Sequence, residues 1–418
     1  PISREIHELE TRTLLAAVSW DGGGGDFDWS NSANWSGDVL PGAADDVTID
    51  LGTNNFTVTH SAGSDSIYSL TCRTDLIVSG GQLSVASDSE LFGALTVSYA
   101  TFGGSGDITV AGQFNWTSGT LRGANGGGRL TANGGTEIVA GNIAWLTEGF
   151  RYVNPAGQIA TLTGTVNDPS VIVTEASVFQ NDGTLNMTGY VNLLGQSPQA
   201  EILNAGQINV TVGPNSEVGK TSIISAAVVV NSGTIDLQSG DLGLGWYDGT
   251  TLTNTGVINA ATGTLITVIG ALNGSGTMAV DAVYFRNGSA NLSGSFSATQ
   301  ASFYRSNTTM TGVVSSLGDT AVAECVLDLQ NATLASAVKN FPNLDVAYGT
   351  LISDDDLTVS GHFNWNSGTL QGANGGGSLT ANGGTEIVAG TVARLTEGFR
   401  YVNPAGQIAT LTGTVNDP

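Results

Sequence analysis

The side chains suited to acid–base or metal chemistry are few in this 418-residue chain, and they lie far apart. Its only histidines are His7, His60 and His362, and its only lysines are Lys220 and Lys339. No nucleophile elbow (G-x-S-x-G), P-loop, His-Glu-x-x-His or Cys-x-x-Cys occurs. Polysaccharide-cleaving enzymes need clustered carboxylates supported by arginine, lysine or calcium. We therefore expect a protein that is not an enzyme and carries no cofactor.

The densest acidic run, Asp354-Asp355-Asp356, is interpreted as an exposed turn rather than a metal or catalytic cluster. In an earlier copy of this part of the sequence the same positions read Ser105-Gly106-Asp107, so only the last carboxylate is shared.

A second acidic region could bind calcium, with a flexible glycine turn as the alternative. The nonapeptide calcium repeat G-G-x-G-x-D needs tandem copies, and here it occurs once and imperfectly. The candidate residues are the run Gly22–Gly25, Asp26, Asp28, Asp45 and Asp46.

Composition favours strands and tight turns over helices. The chain has 59 glycines and only 11% charged residues. It is rich in Gly, Thr, Ser, Asn and Val, which suit short strands and turns. With 12 basic against 36 acidic residues, the net charge of −24 disfavours nucleic acid and anionic membranes as partners. No apolar run approaches the roughly 20 residues of a membrane-spanning helix.

The positions of the polar residues follow from a large internal duplication. Residues 112–169 return as residues 361–418, at an offset of 249, and differ at only seven of 58 aligned positions. A looser match extends upstream, where Phe92 and Tyr99 fall opposite Phe341 and Tyr348. Self-similarity at this scale indicates a repeat protein, and we expect the sequence to be a piece of a longer array.

A finer period gives the fold class. The phrase N-x-G-x-[IL] begins at Asn181, Asn204, Asn231 and Asn254, so successive starts are 23, 27 and 23 residues apart. This spacing is typical of one coil of a parallel β-helix, whose strands stack at about 4.8 Å. We predict an all-β, single-stranded right-handed parallel β-helix of roughly 16 to 19 coils and about 80 Å length. A propeller is the rival, but its blades take about 40 to 50 residues.

Each phrase also predicts side-chain positions. The Ile or Leu after the glycine should point into the core, as should Ile108 and Val110. Asn and Gly should occupy corners because both tolerate left-handed backbone, and the asparagines should hydrogen-bond along the axis. Cys72 and Cys325 should stay reduced, because residues so far apart in a solenoid exceed the roughly 7 Å that a disulfide allows.

The beginning of the chain resembles exported bacterial proteins. Leu9-Glu10-Thr11-Arg12-Thr13-Leu14-Leu15 is similar to the L-E-x-R-x-L-L element near the amino termini of many large exported proteins. From Trp20 the chain reads W-D-G-G, then W-S-N-S-A-N-W-S-G, then P-G-A-A-D-D-V-T-I. This opening, and the N-x-G-x-[IL] and F-N-W-x-S-G-T-L phrases, resemble bacterial surface proteins of the haemagglutinin and autotransporter-adhesin type.

The resemblance implies a domain order and a location. We expect an export-type segment over residues 1–19, an aromatic and glycine-rich N-terminal cap over 20–52, and a β-helix over 53–418. Trp20, Trp29 and Trp35 should pack in that cap rather than present a sugar platform. The implied location is the bacterial cell surface or secretion, with surface glycans or other surface proteins as partners.

Two functions stay open at this point. One is a non-catalytic stalk or adhesive segment, and the other is a carbohydrate-binding or polysaccharide-degrading β-helix, because β-helices serve both roles.

The seven differences between the copies predict which faces are exposed. Trp145 in one copy is Arg394 in the other, and a packed interior would not take both, so both should face solvent as possible surface contacts. Alternation then points Ala144 and Leu146 inward, and likewise Ala393 and Leu395. By the same alternation, Phe114 and Trp116 should be buried. Packing of Trp145 against a neighbouring loop is the alternative to a binding role.

Overall fold

A computed structural model describes residues 16–52, 56–139, 143–164, 170–212, 221–245, 249–336, 339–389 and 392–413. Residues 1–15, which carry most of the export-type element, therefore lie outside the described part. The described chain is an all-β parallel solenoid of about 15 turns, slightly fewer than the 16 to 19 coils expected. Its one helical turn is a 3-10 turn at Ser32–Asn34, capped by the Asn31 side chain.

The strands up to the end of the first copy are short and follow one another closely: β1 (Ala16–Ser19), β2 (Asp45–Ile49), β3 (Thr57–His60), β4 (Ser64–Ile67), β5 (Ser69–Cys72), β6 (Asp75–Val78), β7 (Gln82–Val85), β8 (Ser89–Leu91), β9 (Leu95–Val97), β10 (Thr101–Gly104), β11 (Asp107–Val110), β12 (Phe114–Trp116), β13 (Gly119–Gly123), β14 (Arg129–Ala132), β15 (Thr136–Val139), β16 (Ala144–Thr147), β17 (Arg151–Asn154) and β18 (Ile159–Gly164).

The strands between the copies include the three longest: β19 (Ser170–Val173), β20 (Val178–Asn181), β21 (Thr184–Gly189), β22 (Asn192–Gly195), β23 (Glu201–Asn204), β24 (Gln207–Thr211), β25 (Ser222–Ser225), β26 (Val228–Asn231), β27 (Thr234–Ser239), β28 (Asp241–Leu244), β29 (Thr251–Asn254), β30 (Val257–Ala260), β31 (Leu265–Gly274), β32 (Thr277–Leu292), β33 (Ser295–Met310), β34 (Val313–Ser316), β35 (Asp319–Ala323), β36 (Val326–Asp328), β37 (Thr333–Leu334), β38 (Asn340–Phe341), β39 (Leu344–Ala347) and β40 (Thr350–Ile352).

The remaining described strands begin just before the second copy and continue through it: β41 (Asp356–Val359), β42 (Phe363–Asn366), β43 (Gly368–Gln371), β44 (Ser378–Ala381), β45 (Thr385–Ala389), β46 (Ala393–Thr396), β47 (Arg400–Val402) and β48 (Ala409–Gly413).

Each coil has three sides because a strand pairs in parallel with the strands three before and three after it. In and just before the first copy, β10, β13 and β16 stack on one side, which we name face A. The strands that follow them, β11, β14 and β17, stack on face B. Those that come next, β12, β15 and β18, stack on face C. Strands β32 and β33 run through all three faces without a break, so the pairing joins 44 strands into one sheet.

The core consists of aliphatic and aromatic stacks, as the alternation predicts. Leu185, Ile208, Ile235 and Ile258 are buried and lie in register from coil to coil. Ile108 and Val110 are buried too. The narrow interior is filled by side chains of neighbouring coils, whose dense packing supplies the hydrophobic stabilisation.

A buried ladder of asparagines confirms the predicted hydrogen bonding along the axis. It runs through the last residues of five successive strands of face B. Each Nδ2 donates to the Oδ1 of the next asparagine over 2.7 to 2.8 Å, and the members are Asn154, Asn181, Asn204, Asn231 and Asn254. Each of these Nδ2 atoms, the last included, also donates to a backbone carbonyl of the next coil.

The prediction of left-handed backbone at these corners is wrong. Neither the four asparagines of the phrase nor the glycines after them have positive φ. Glycine is required there for a different reason, since a Cβ on Gly206 would overlap the carbonyl oxygen of Gly183 in the preceding coil. The same close approach recurs at Gly233 and Gly256. Close stacking of backbone on backbone therefore explains the N-x-G spacing.

The two copies adopt the same strands along one axis, but on different faces. On face A, eleven successive pairings lead from β10 to β39, and the counterpart of β10 is β40, the next strand, on face B. Likewise β12 on face C corresponds to β42 on face A. The second copy is thus eleven turns and one face further along, an axial shift of about 54 Å at about 4.8 Å per turn.

The aromatic residues near the start of the solenoid form one packed group. Trp20, Trp29 and Trp35 are buried, with ring centroids 4.9 and 4.7 Å apart in edge-on contacts. The Trp35 indole donates to the Trp29 carbonyl over 2.8 Å. Buried rings offer no face on which a sugar could stack. The capping role of residues 20–52 stays a prediction.

Candidate functional site

Trp145 and Arg394, the predicted contact residues, lie on the outer surface. Trp145 in β16 is partly exposed on face A, between the buried Ala144 and Leu146. Arg394 in β46 is exposed on face B. The strand phase is also as predicted in β12, where Phe114 and Trp116 are buried around a partly exposed Asn115. A binding role for either residue stays a prediction.

Leu395 was expected to point inward, yet it is 47% exposed. It lies in register with the buried Leu370, so its strand keeps the predicted phase. Its counterpart Leu146 is covered by β19 of the next coil. No described strand covers Leu395, and this accounts for its exposure.

Two tyrosines matched by the duplication, Tyr99 and Tyr348, are exposed on the outer surface, which the sequence analysis did not predict. Tyr99 is 70% exposed and Tyr348, at the equivalent position of the second copy, is 57% exposed. Both have left-handed backbone, with φ of 55° and 56°, a conformation that is costly for a bulky side chain. The sequence signal was present, because the offset of 249 residues places a tyrosine opposite a tyrosine where the flanking residues differ.

Ion pairs between neighbouring coils occupy several arginines. Arg122 binds Glu148 of the next coil with an Nη2–Oε1 distance of 2.7 Å, and this hydrogen bond raises the pKa of the Arg122 guanidinium. Arg129 binds Asp107 at 2.6 Å. The second copy has Gln371 and Ser378 in place of these two arginines. It therefore keeps the carboxylates and lacks the cations, so its outer surface is more acidic than that of the first copy.

A shallow groove of about 220 Å³ lies beside the Arg122–Glu148 pair, between faces A and B. Three glycines, Gly103, Gly104 and Gly123, are among the residues that line it. The two charges of the Arg122–Glu148 pair neutralise each other, so the groove offers no unpaired charge at this position.

The acidic run is an outer turn whose carboxylates diverge. Asp354 accepts a hydrogen bond from Asn374 over 2.8 Å, and Asp356 accepts one from Ser378 over 2.6 Å. Asp355 pairs with Lys339. The three side chains thus reach three different partners rather than one shared centre.

The carboxylates near the start of the chain are also engaged. Asp26 accepts hydrogen bonds from the Asn31 and Asn34 side chains at 2.9 and 2.7 Å, and these bonds hold its pKa below the usual value. Asp45 accepts from the Gly42 backbone at 2.7 Å. Asp46 accepts from Ser69. Within the described ranges, no three His, Cys, Asp or Glu side chains come together as metal ligands would.

The two histidines of the described chain have different partners and do not share a site. His60 is buried, with Nε2 2.8 Å from Asp65 Oδ2 and Nδ1 3.0 Å from the Gly80 carbonyl. Its ring also packs edge-on against Trp29. These contacts indicate a structural role for His60. His362 is exposed and lies 3.9 Å from Glu386.

Both cysteines are buried free thiols, as predicted. Cys72 donates to the Thr74 carbonyl at 3.2 Å, and burial raises its pKa to about 12. Burial raises the pKa of Cys325 as well. Raised pKa values keep both groups in the unreactive thiol form at neutral pH.

A cleft of about 650 Å³ lies where face A turns into face B in the middle of the solenoid. None of the described residues that line it is charged, and small apolar groups such as Ala226 and Ala227 form much of its wall. The described lining also contributes Gln196, Ser197 and Thr250 as polar groups.

Comparison with known proteins finds no matching family, no similar curated protein and no similar solved structure. The fold therefore stands on the strand pairing alone. The described residues include no helix of the length and apolarity that crossing a membrane requires.

Proposed function

We propose that this chain is a non-catalytic structural and adhesive segment of a secreted or cell-surface bacterial repeat protein. The observation that carries the proposal is the continuous pairing of 44 strands into one sheet along the solenoid. Such stacking makes each coil depend on its neighbours and gives a stiff rod rather than a set of jointed domains. Its function would be reach and lateral contact, with Trp145 and Arg394 as contact residues.

Two measurements test this proposal: the length of the rod, and whether the chain cleaves polysaccharides. Small-angle scattering should give a rod of about 70 Å, from about 15 turns at about 4.8 Å each. Incubation with a panel of acidic polysaccharides, with and without calcium, should leave them intact. Cleavage that generates unsaturated ends would overturn the non-catalytic role in favour of a polysaccharide-degrading β-helix.

A carbohydrate-binding role is the second candidate, and the exposed tyrosines favour it. Tyr99 and Tyr348 present large ring surfaces, and tyrosine is enriched at contact surfaces because its ring is apolar and its hydroxyl polar. An unfavourable backbone retained at both positions supports a functional role.

Glycan binding can be tested with matched tyrosine variants. Tyr99→Ser and Tyr348→Ser should lower binding to any glycan that the chain retains on an array, while Tyr68→Ser should not. Tyr68 is a suitable control because it is exposed and has ordinary backbone geometry. Equal binding by all three variants would remove this candidate.

A further inference from the structure

Arg286, in the part of β32 that lies on face A, is a partly buried cation. Its guanidinium carbon lies 5.7 Å from the centre of the Tyr284 ring, and its Nε atom is buried without a hydrogen-bond partner. Within the described part of the chain Arg286 forms no ion pair, whereas Arg73, which also lies over a ring, pairs with Asp50 at 3.3 Å. A positive charge that is partly removed from water and left unpaired favours an anionic ligand.

The coils that follow Arg286 present two tyrosines on the same line of the outer surface. Tyr304 is in register with Arg286, one coil further on. Ala323 is in register with Tyr304, and Tyr348 forms a bridge with Ala323 in the coil after that. At about 4.8 Å per coil, the two tyrosines are about 10 Å apart along the axis. Because Ala323 and its outward-facing neighbour Ala321 are small, the surface between the tyrosines has a low floor with an aromatic side chain at each end.

The corner beside these tyrosines carries long side chains on a backbone conformation that suits glycine. Four successive coils have a φ between 49° and 56° there, at Asn287, Arg305, Glu324 and Tyr348. Glycine adopts this conformation without steric cost, so four larger residues at this corner support a functional role for their side chains. Arg305 lies over the Tyr304 ring at 4.9 Å and pairs with Glu324 at 2.6 Å. Arg286 is therefore the cation of this group that has a charge to offer.

We propose that Arg286, Tyr304 and Tyr348 form a binding site for a short carbohydrate that carries a carboxylate, as uronic acid oligosaccharides do. The guanidinium of Arg286 pairs with the carboxylate, because its planar fork matches that group in shape as well as in charge. The tyrosine rings contact the apolar faces of the sugars, and their hydroxyls bind sugar hydroxyls. The net charge of −24 disfavours a long polyanion, so the ligand is short or sparsely charged. This inference rests on the carbohydrate-binding candidate and names the ligand class for its Tyr348 site.

A matched pair of ligands tests the site. The full chain is titrated in a calorimeter with a trimer of galacturonic acid and with the methyl ester of the same trimer, which has the same rings and no charge. The acid should bind about three- to tenfold more tightly than the ester, as expected for a partly exposed charge pair. This preference should shrink as the salt concentration rises. Arg286→Gln should abolish the preference and leave the affinity for the ester unchanged.

Two further variants separate the contributions of charge and ring. Arg73→Gln is the matched control, because Arg73 also lies over a ring but has its own carboxylate, and it should leave the binding of both trimers unchanged. Tyr304→Ser should weaken the binding of acid and ester alike, because contacts with a ring do not depend on the charge of the ligand.

The outcomes distinguish this inference from the candidate on which it rests. Equal affinity for acid and ester, or a preference that survives in Arg286→Gln, would overturn the acidic ligand class and leave carbohydrate binding in place. If neither trimer binds and the array retains no glycan, the carbohydrate-binding candidate and this site are both removed.

Discussion

At the scale of single residues, the solenoid depends on polar groups that are buried and satisfied. Within the asparagine ladder, Asn204 accepts from Asn181 and donates to both Asn231 and the Thr234 carbonyl. A buried polar network of this kind is costly to break, because the groups left behind lose both water and partner. The ladder therefore stabilises face B and also fixes the register of the strands it joins.

We predict that Asn204→Ala lowers the free energy of unfolding by about 2–4 kcal/mol, because it leaves buried hydrogen-bonding groups unpaired. Asn209→Ala is the matched control in the next strand, where a partly buried bond to Asn186 and an exposed bond from Gln207 are lost. That change should cost under about 1 kcal/mol. Urea unfolding followed by circular dichroism compares the two, and equal costs would contradict the importance of the ladder.

The buried thiols give a prediction about reactivity and pH. Because burial raises the Cys72 pKa from 9.0 to about 12, the folded state holds the protonated thiol more tightly than the unfolded state does. The stability contribution is therefore complete below pH 9 and is lost as the pH rises towards 12. At pH 8 the native chain should react slowly with a thiol reagent, and in denaturant both cysteines should react at once. Fast reaction of the native chain would show that the thiols are accessible.

At the scale of the coil, glycines set how closely one turn lies on the next. Gly206 stacks on Gly183 in the coil before it, and Gly233 stacks on Gly206 in turn. Since a side chain at this position would overlap backbone rather than a movable group, neighbouring coils would have to separate. The spacing of the N-x-G phrase therefore reflects packing along the axis.

We predict that Gly206→Ala destabilises the protein by about 2–3 kcal/mol, as overpacking against backbone does. Gly127→Ala is the control, because nothing lies within 4 Å of a Cβ built there and its φ is not positive. Replacing Gly127 should change the thermal midpoint little. If both variants melt alike, close stacking is not what requires glycine at position 206.

At the scale of the whole molecule, the second copy is rotated about the solenoid axis as well as shifted along it relative to the first copy. The second copy begins eleven turns and one face after the first, so equivalent outer residues point in different directions. Trp145 and Arg394 therefore cannot contact one flat partner together. Two separate partners, on different sides of the rod, fit this arrangement.

A distance measurement tests this geometry. In a chain with Cys72→Ala and Cys325→Ala, spin labels at Trp145→Cys and Arg394→Cys should lie about 55 Å apart. The axial shift contributes most of that distance, and the change of face adds little. Pulsed electron spin resonance measures this distance directly. A chain that carries Arg394→Cys but keeps Trp145 has a single label and gives the background. A distance under about 30 Å would mean that the copies lie side by side.

The sequence by itself determined the fold class, the coil length, the strand phase around Trp116 and the buried line through Ile235. It could do so because strand alternation and the 23-residue phrase depend on local patterns. The tertiary structure decided three further points. It replaced left-handed corners by close backbone stacking at Gly206, and it placed the second copy one face round from the first. It also showed that Tyr99 and Tyr348 are exposed and have a strained, left-handed backbone. These depend on how coils of unequal length, from 17 to 31 residues between paired strands, accumulate along the axis. No single sequence phrase specifies the total offset that these coil lengths produce.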